Sequence, residues 1–247
     1  MKRKEFLRGL GLMGISSLAI PIINSCSKDD DSGSSTGTDS SSGSDSSSDD
    51  CSVTPSETAG PFPTITPSSL VKSNITMDRT GVAFTIKITI KNTNASCAAL
   101  KNAIVDIWHC DKDGYYSEYG GTSMQSVNYT SVHFLRGRQT TDENGLVTFT
   151  SIFPGWYSGR ATHIHVHIYN ASGTSLLVTQ IAFPEGSNSA VALVNASSAN
   201  GYTKGLTGYT YNASDNVFSD STAKEMSTIT GSVSEGFVLT HTINVAG

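Results

Sequence analysis

The feature that most constrains the fold of this chain is a set of short segments in which apolar and polar residues alternate. The clearest runs from Val82 to Ile90 and reads VAFTIKITI. Strict alternation puts the apolar residues on one face of a strand, and no segment keeps a helical period over several turns. The other predicted strands are 103–109, 146–152, 162–169, 176–183 and 237–245.

These strands follow one another at short spacing, with turns rich in Asp, Asn and Gly between them. That organisation is typical of an all-β protein, and we predict an antiparallel β-sandwich with long loops. Residues 186–235 are rich in Ser, Asn and Gly and are predicted to form loops.

The first 26 residues have the organisation of an export signal. Basic residues 2–8 precede a short, glycine-rich apolar stretch at 9–23, and the sequence INSC at 23–26 is similar to a lipoprotein cleavage box. We predict that residues 1–25 are a signal peptide and that Cys26 is lipidated; a soluble signal peptide with an incidental cysteine is the alternative. Residues 3–8 also resemble a twin-arginine signal with Lys4 in the second arginine position, so the export route stays open.

Residues 26–50 are predicted to be the lipidated cysteine and a disordered linker. The stretch 27–50 holds eleven Ser and seven Asp and lacks the apolar residues that could form a core. The folded domain is then 51–247. Most of the net charge of −5 lies in the linker, so the domain is nearly neutral and gives no support to a nucleic-acid partner. We expect an exported lipoprotein on the periplasmic or cell-surface side, with membrane contact through the lipid only.

Three cysteines lie in the predicted domain, which allows one disulfide in an oxidising compartment. Cys97 and Cys110 stand at opposite ends of one predicted strand, about 25 Å apart at the usual rise per residue. That distance is beyond the reach of a disulfide. Cys51 is therefore the expected member of a disulfide, and its partner stays open.

The alternating sequence HIHVH at 163–167 is the most informative candidate for chemistry. On a strand its three imidazoles lie on one face, about 7 Å apart, which suits a transition metal. A polar, solvent-facing strand is the alternative. The small number of cysteines and the absence of a His-Glu-x-x-His pattern argue against the common zinc designs.

Other polar groups near this strand in the sequence strengthen the prediction. Arg160 supplies a fixed cation three residues before His163, although a surface salt bridge would also explain it. Four tyrosines could contribute hydroxyl groups, although each could instead pack in the core: Tyr115, Tyr116, Tyr119 and Tyr157. From the residues alone we predict a metal site with histidine ligands and leave the metal open.

Four motifs occur in order: TAGPF at 58–62, AIVDIW at 103–108 followed by DGYY at 113–116, RQTTDENG at 138–145 followed by PGWY at 154–157, and RATHIH at 160–165. In this order and spacing they resemble the intradiol ring-cleavage dioxygenases, the family of catechol and protocatechuate 3,4-dioxygenases. The resemblance covers about residues 51–185, with a final strand at 237–245. The stretch PGWYSGR at 154–160 looks more like a secreted subgroup of the family.

The resemblance implies a mononuclear non-haem Fe(III) centre formed by the long loops of the sandwich and the histidine strand. Its implied ligands are Tyr116, Tyr157, His163 and His165. Tyr116 is preferred to Tyr115 because the family tyrosine follows the tryptophan, here Trp108, by eight residues. His167 is expected to lie outside the centre.

The resemblance also implies the reaction, in which O2 cleaves a catechol-type ring to a muconate-type diacid. Tyr157 would be displaced by the small aromatic diol and take up one of its protons. Arg160 would stabilise negative charge on the ring, and Gln180 matches a glutamine next to the family's centre. Gly60 and Pro61, in the first motif, would contact the substrate.

Some features depart from the family's pattern. Catabolic members are usually cytoplasmic, whereas this chain carries export signals. Only two residues separate Tyr157 from Arg160, which predicts a more open pocket and a different or bulkier diol. No second basic residue is identifiable as an anchor for a substrate carboxylate. The identity of the diol and assembly into a homo-oligomer are left open.

Three other functions compete with the dioxygenase. A non-catalytic surface lipoprotein could bind catechols or metal on the same sandwich, but it would not need the full set of tyrosines, histidines and arginine. A scaffold for surface interactions would hold no iron. A hydrolase is least favoured, because Ser158 near His163 lacks a recognisable nucleophile elbow or acid partner.

Overall fold

The computed structural model describes residues 51–196 and 198–247, and in them the alternating segments build two β-sheets around a common apolar core. The predicted signal peptide, Cys26 and the Ser/Asp-rich linker lie outside the described residues. Within the described part of the chain no helix is long and apolar enough to cross a bilayer. The elements are β1 (Ala83–Asn92), β2 (Ala98–Ala99), β3 (Ile104–Trp108), β4 (Arg136–Thr140), β5 (Leu146–Ile152), β6 (His163–Tyr169), β7 (Ser175–Ala182), α1 (Ala190–Asn195), β8 (Thr228–Ser232) and β9 (Gly236–Val245), with short 3-10 turns at Pro67–Ser69, Thr93–Ala95, Ser198–Asn200 and Asn212–Ser214.

The first sheet is built around β1. This strand pairs antiparallel with β5 and β2 and parallel with β9, which in turn pairs antiparallel with β8. Along β1, Ile86 and Ile88 are fully buried, while Lys87 between them is exposed. Full burial of such a side chain stabilises the fold by about 1.5–3 kcal/mol, so the alternation decides which face of the strand meets the core.

The second sheet positions the candidate site. Its strands lie in the order β4-β3-β6-β7, and all neighbours are antiparallel. On β6, Ile164, Val166 and Ile168 are fully buried among the core residues. Because side chains alternate along a strand, His163 and His165 lie on the other face of this sheet, away from the core. The prediction of an all-β sandwich is confirmed.

Three elements of the structure, α1, β4 and β8, were not predicted. The prediction that residues 186–235 are loops is wrong for α1, which Ser189 caps through the N–H of Ala192 at 3.2 Å, and for β8. The polar strand β4 is absent from the predicted strands. Its charged side chains are accommodated by carboxylates, and Arg138 donates to Asp106 through Nη2 at 2.7 Å.

One disulfide joins Cys51 to Cys97, with 5.7 Å between their Cα atoms, and Cys110 is free and buried. The prediction that Cys51 belongs to a disulfide is confirmed, and the structure decides its partner. The bond fixes the start of the described chain beside β2. The backbone N–H of Thr54 then donates to the carbonyl oxygen of Asn244 on β9 at 2.9 Å, and that of Glu57 donates to Val178 on β7 at 2.8 Å, so the chain passes from the first sheet to the second.

Candidate metal centre

The two histidines of β6 form the floor of the site. The Nε2 atoms of His163 and His165 lie 3.1 Å apart, and both rings are almost fully buried. Trp108, opposite His165 on β3, stacks on the His165 ring with centroids 4.9 Å apart and planes 2° from parallel. The neighbouring strand therefore fixes the plane of this imidazole.

Tyr116 reaches the histidines from the loop after β3. Its hydroxyl lies 3.2 Å from His163 Nε2, the side chain is fully buried, and the ring stacks on Phe62 with centroids 4.9 Å apart. Tyr115 is only partly buried, and its ring lies 6.3 Å from that of Tyr129. The structure therefore brings Tyr116 to the site and leaves Tyr115 outside it.

Tyr157 closes the group from the loop after β5. Its ring centroid lies 5.8 Å from that of Tyr116 and 5.7 Å from that of His163. Burial raises the pKa of both phenols, and most strongly that of Tyr116. Arg160 opposes the shift in the pKa of Tyr157. Both phenols thus keep their protons at neutral pH unless a cation is bound beside them.

Arg160 is buried at the edge of the site, and each side of its guanidinium has a different neighbour. Nε donates to Asp215 at 2.9 and 3.1 Å, Nη2 donates to Gln180 Oε1 at 2.6 Å, and Nη1 lies 3.4 Å from His163 Nε2. The alternative of a surface salt bridge is wrong, because Arg160 is 7% exposed and Asp215 is fully buried.

The first motif, residues 58–62, packs against the site through Thr58 and Gly60. Gln180 on β7 donates to the carbonyl oxygen of Thr58 at 2.9 Å. Gly60 has a φ of 69°, and a methyl group added to it would lie 2.9 Å from Cε1 of His165. Only glycine combines this backbone conformation with so close an approach to the ring. Pro61, which follows it, is exposed.

The donor atoms fit a bound transition metal. Nδ1 of His163 lies 2.6 Å from the carbonyl oxygen of Ala161, so this nitrogen carries the proton and Nε2 presents a lone pair. Burial and the nearby Arg160 lower the pKa of His163 to about 3, and burial and His163 lower that of His165 well below its usual value. Both imidazoles are therefore neutral and available as ligands.

The spacing of these atoms supports the same interpretation. Two ligand atoms each about 2.1 Å from a metal, at a right angle to one another, lie about 3.0 Å apart. The Nε2 pair lies 3.1 Å apart and the tyrosine oxygen 3.2 Å from His163 Nε2. Within 51–196 and 198–247 no three His, Cys, Asp or Glu side chains form a metal-binding group. A metal here would thus depend on the two phenols as well as the two imidazoles.

His167 shares the face of His163 and His165 but lies apart from them. Its Nε2 is 2.8 Å from the hydroxyl of Ser175, and its Nδ1 is 2.8 Å from the hydroxyl of Tyr169. Both ring nitrogens of His167 thus have partners other than His163 and His165, and its place outside the centre stays a prediction. For the hydrolase alternative, the candidate nucleophile Ser158 is exposed, whereas Nε2 of His163 faces Tyr116, His165 and Arg160.

The structure thus brings together Tyr116, Tyr157, His163, His165, Arg160, Gln180 and Gly60, and their individual roles stay predictions. Sequence reasoning missed Asp215, which holds Arg160 from a Ser/Asn-rich stretch that has no motif around it. It also missed the contribution of Phe62 to the position of Tyr116. The aromatic position in the first motif was a usable signal for Phe62, whereas nothing in the sequence marks Asp215.

Comparison with known proteins gives a consistent result. The model of a protein family described as "Dioxygenase" matches residues 62–226. The intradiol ring-cleavage dioxygenase of Tetranychus urticae is 30% identical, and the match covers 79% of this chain and 95% of that chain with a TM-score of 0.68.

Two further relatives match less fully. Chlorocatechol 1,2-dioxygenase of Rhodococcus opacus is 30% identical over 109 residues, which are 36% of this chain and 40% of that relative, so the match spans less than half of its length. The dioxygenase domain of a carbohydrate-binding fusion protein from Streptomyces sp. SirexAA-E is 22% identical with a TM-score of 0.56, over 78% of this chain and 97% of that chain. This last likeness supports the fold alone.

Proposed function

Since this chain belongs to the intradiol ring-cleavage dioxygenases, we propose that it is an oxidoreductase that cleaves a catechol-type ring with O2. The carbon–carbon bond between the two hydroxyl-bearing carbons breaks, both oxygen atoms of O2 enter the product, and a muconate-type diacid results. The observation that carries the proposal is the convergence of Tyr116, His163 and His165, with Tyr157 and Arg160 beside them.

The cofactor in this proposal is one non-haem Fe(III), held by Tyr116, Tyr157, His163 and His165. When bound, it would supply a Lewis acid that favours the ionised diol and makes its ring reactive toward O2. Two phenolic oxygens are hard, anionic donors that suit a ferric ion better than a ferrous one. The neutral imidazoles complete the set without adding charge.

Two polar side chains would handle protons and charge. Tyr157, at the more open side of the group, would accept a proton from the diol at its phenolic oxygen. Arg160 directs Nη1 at the site, where its fixed charge would stabilise negative charge that develops on the ring. Gln180 holds the other side of the guanidinium and is itself tied to the backbone of Thr58.

Apolar side chains would keep the reacting ring away from bulk water. Phe62, Trp108 and Cys110 are buried around Tyr116 and form one small cluster with it. Within such surroundings the charge of Arg160 acts more strongly than it would in water. Gly60 of the first motif lies beside His165, and Pro61 follows it in the chain; we propose that both contact the substrate.

We also propose that the protein is exported and anchored by a lipid on Cys26, as the sequence of its first 26 residues predicts. The disulfide between Cys51 and Cys97 supports this location, because such bonds persist mainly in oxidising compartments. The substrate would then be a diol present outside the cytoplasm.

The test is the iron content and visible spectrum of the purified full chain, before and after addition of catechol without oxygen. We expect one ferric ion for each chain and a broad visible band that shifts when catechol binds, followed by oxygen uptake when air is admitted. His165→Ala should lose the iron, while His167→Ala, on the same face of the same strand, should keep it. A protein that binds catechol without oxygen uptake would support the non-catalytic binding protein, and a colourless protein that cannot be loaded with iron would contradict the proposal.

A further inference from the structure

Arg160 is held on three sides by groups that differ in chemistry. Its Nε donates to both oxygens of Asp215, its Nη2 donates to Gln180 Oε1 at 2.6 Å, and its Nη1 faces His163 Nε2 at 3.4 Å. Two of the three nitrogens are thus occupied by acceptors on the protein. Nη1 is the nitrogen directed at the candidate metal centre.

Asp215 is a loop residue whose carboxylate is surrounded by hydrogen-bond donors. It is fully buried, and besides Arg160 Nε it accepts the backbone N–H of Ala161 at 2.6 Å and that of Val217 at 2.8 Å. Backbone donors on both sides fix the carboxylate before any substrate binds. The hydrogen bonds of the two carboxylate oxygens are thus fully used within the protein, and the pair with Arg160 is a buried one whose geometry both partners fix.

The same turn places an apolar wall beside the site. Phe218, three residues after Asp215, lies with its ring centroid 6.5 Å from that of His163 and 5.8 Å from the guanidinium carbon of Arg160. Without Asp215 the guanidinium would keep its hydrogen bond to Gln180 but would lose the acceptor at Nε that sets the rotation of its plane. The direction of Nη1 therefore depends on Asp215.

We propose that Asp215 is a positioning residue for the ring-cleavage reaction, which holds Arg160 so that Nη1 alone is presented to the reacting diol. The inference rests on the proposed function, because it requires a ring with developing negative charge at the centre. The side chain of Asp215 accepts hydrogen bonds from Arg160 and from backbone N–H groups, so its effect on the site passes through Arg160. A misplacement of about 1 Å in such a group can reduce a rate by about 100-fold.

The kinetic test compares Asp215→Asn with Arg160→Met and with the double variant. We expect Asp215→Asn to keep its iron, its visible band and its affinity for catechol without oxygen, while kcat falls by as much as about 100-fold. The double variant should have the kcat of Arg160→Met alone, because one substitution removes the group through which the other acts. Asp220→Asn, an exposed carboxylate in the same segment, is the matched control and should keep the wild-type kcat.

A second measurement does not depend on iron or on turnover. In the metal-free protein the Nε–H of Arg160 should give a nuclear magnetic resonance signal that exchanges slowly with water, and this signal should be lost in Asp215→Asn and kept in Asp220→Asn. A wild-type signal or a wild-type kcat in Asp215→Asn would overturn the proposal, and so would losses that multiply in the double variant. If the wild-type chain holds no iron and cleaves no diol, the proposed function fails, and the Nε–H signal still decides whether Asp215 holds Arg160.

Discussion

Replacement of Gly60 by alanine would place a methyl group directly against a proposed metal ligand. Gly60 has a φ of 69°, and the added carbon would lie 2.9 Å from Cε1 of His165. Gly173, in the turn between β6 and β7, has a φ of 85°, and an added carbon there would meet no atom within 4 Å. The two glycines therefore share a backbone conformation and differ in what a side chain would touch.

The expected loss of stability follows from the backbone conformation, and the expected loss of kcat follows from the contact with His165. A left-handed backbone costs an L-residue about 1–2 kcal/mol, so both alanine variants should lose about that much free energy of unfolding. For a domain of this size each kcal/mol lowers the Tm by about 2–4 °C. In Gly60→Ala the methyl and the ring must also separate by about 0.6 Å or more, since carbon atoms normally approach to about 3.5–4.0 Å. A shift of that size in a ligand should reduce kcat by about tenfold.

The assay combines thermal unfolding with the rate of oxygen uptake at saturating catechol and with iron content. We expect both variants to unfold at a lower temperature than the wild type, with kcat reduced in Gly60→Ala alone. Equal kcat values for the two variants would refute the reasoning, because they would show that the contact with His165 does not affect the reaction. A wild-type Tm for Gly173→Ala would refute the estimate of the backbone cost.

Three further predictions concern the ligand register, the disulfide and pH. Tyr116→Phe should lose iron or its visible colour and Tyr115→Phe should keep both, because only the former hydroxyl faces His163; the reverse result would mean that the register is off by one. Serine at both Cys51 and Cys97 should lower the free energy of unfolding by about 4 kcal/mol, from the entropy of a loop with a sequence separation of 46, and a urea titration would measure it. Burial lowers the pKa of His241 to about 4, whereas its ordinary value of 6.5 applies in the unfolded chain. Below pH 6.5 the unfolded chain therefore binds a proton that the folded chain does not, and the free energy of unfolding decreases as the pH is lowered. His241→Gln should reduce the loss of stability between pH 7 and pH 5 by about 2 kcal/mol, and an unchanged pH profile would contradict this.

Local patterns were enough to predict the elements that face the core. On β1 and β6 the alternation of apolar and polar residues is itself the physical cause of the strand's orientation, so the sequence predicts both the strand and the face. The same argument predicted that His163 and His165 share a side, and that side is the one turned away from the core. It could not predict β4 or β8, because their polar residues are stabilised by pairing with neighbouring strands and, in β4, by buried carboxylates.

The sequence by itself determined the class of fold, the common face of the histidines and, through its motifs, the residues to be expected at a metal centre. The tertiary structure alone decided which cysteine pairs with Cys51 and that Asp215 lies against Arg160. Each of these depends on contacts between segments far apart in the chain, as with Asp215 and Arg160, which are 55 residues apart. Periodicity and spacing describe neighbours along the chain, whereas a loop carboxylate acquires its role only when folding brings a distant partner within hydrogen-bonding distance.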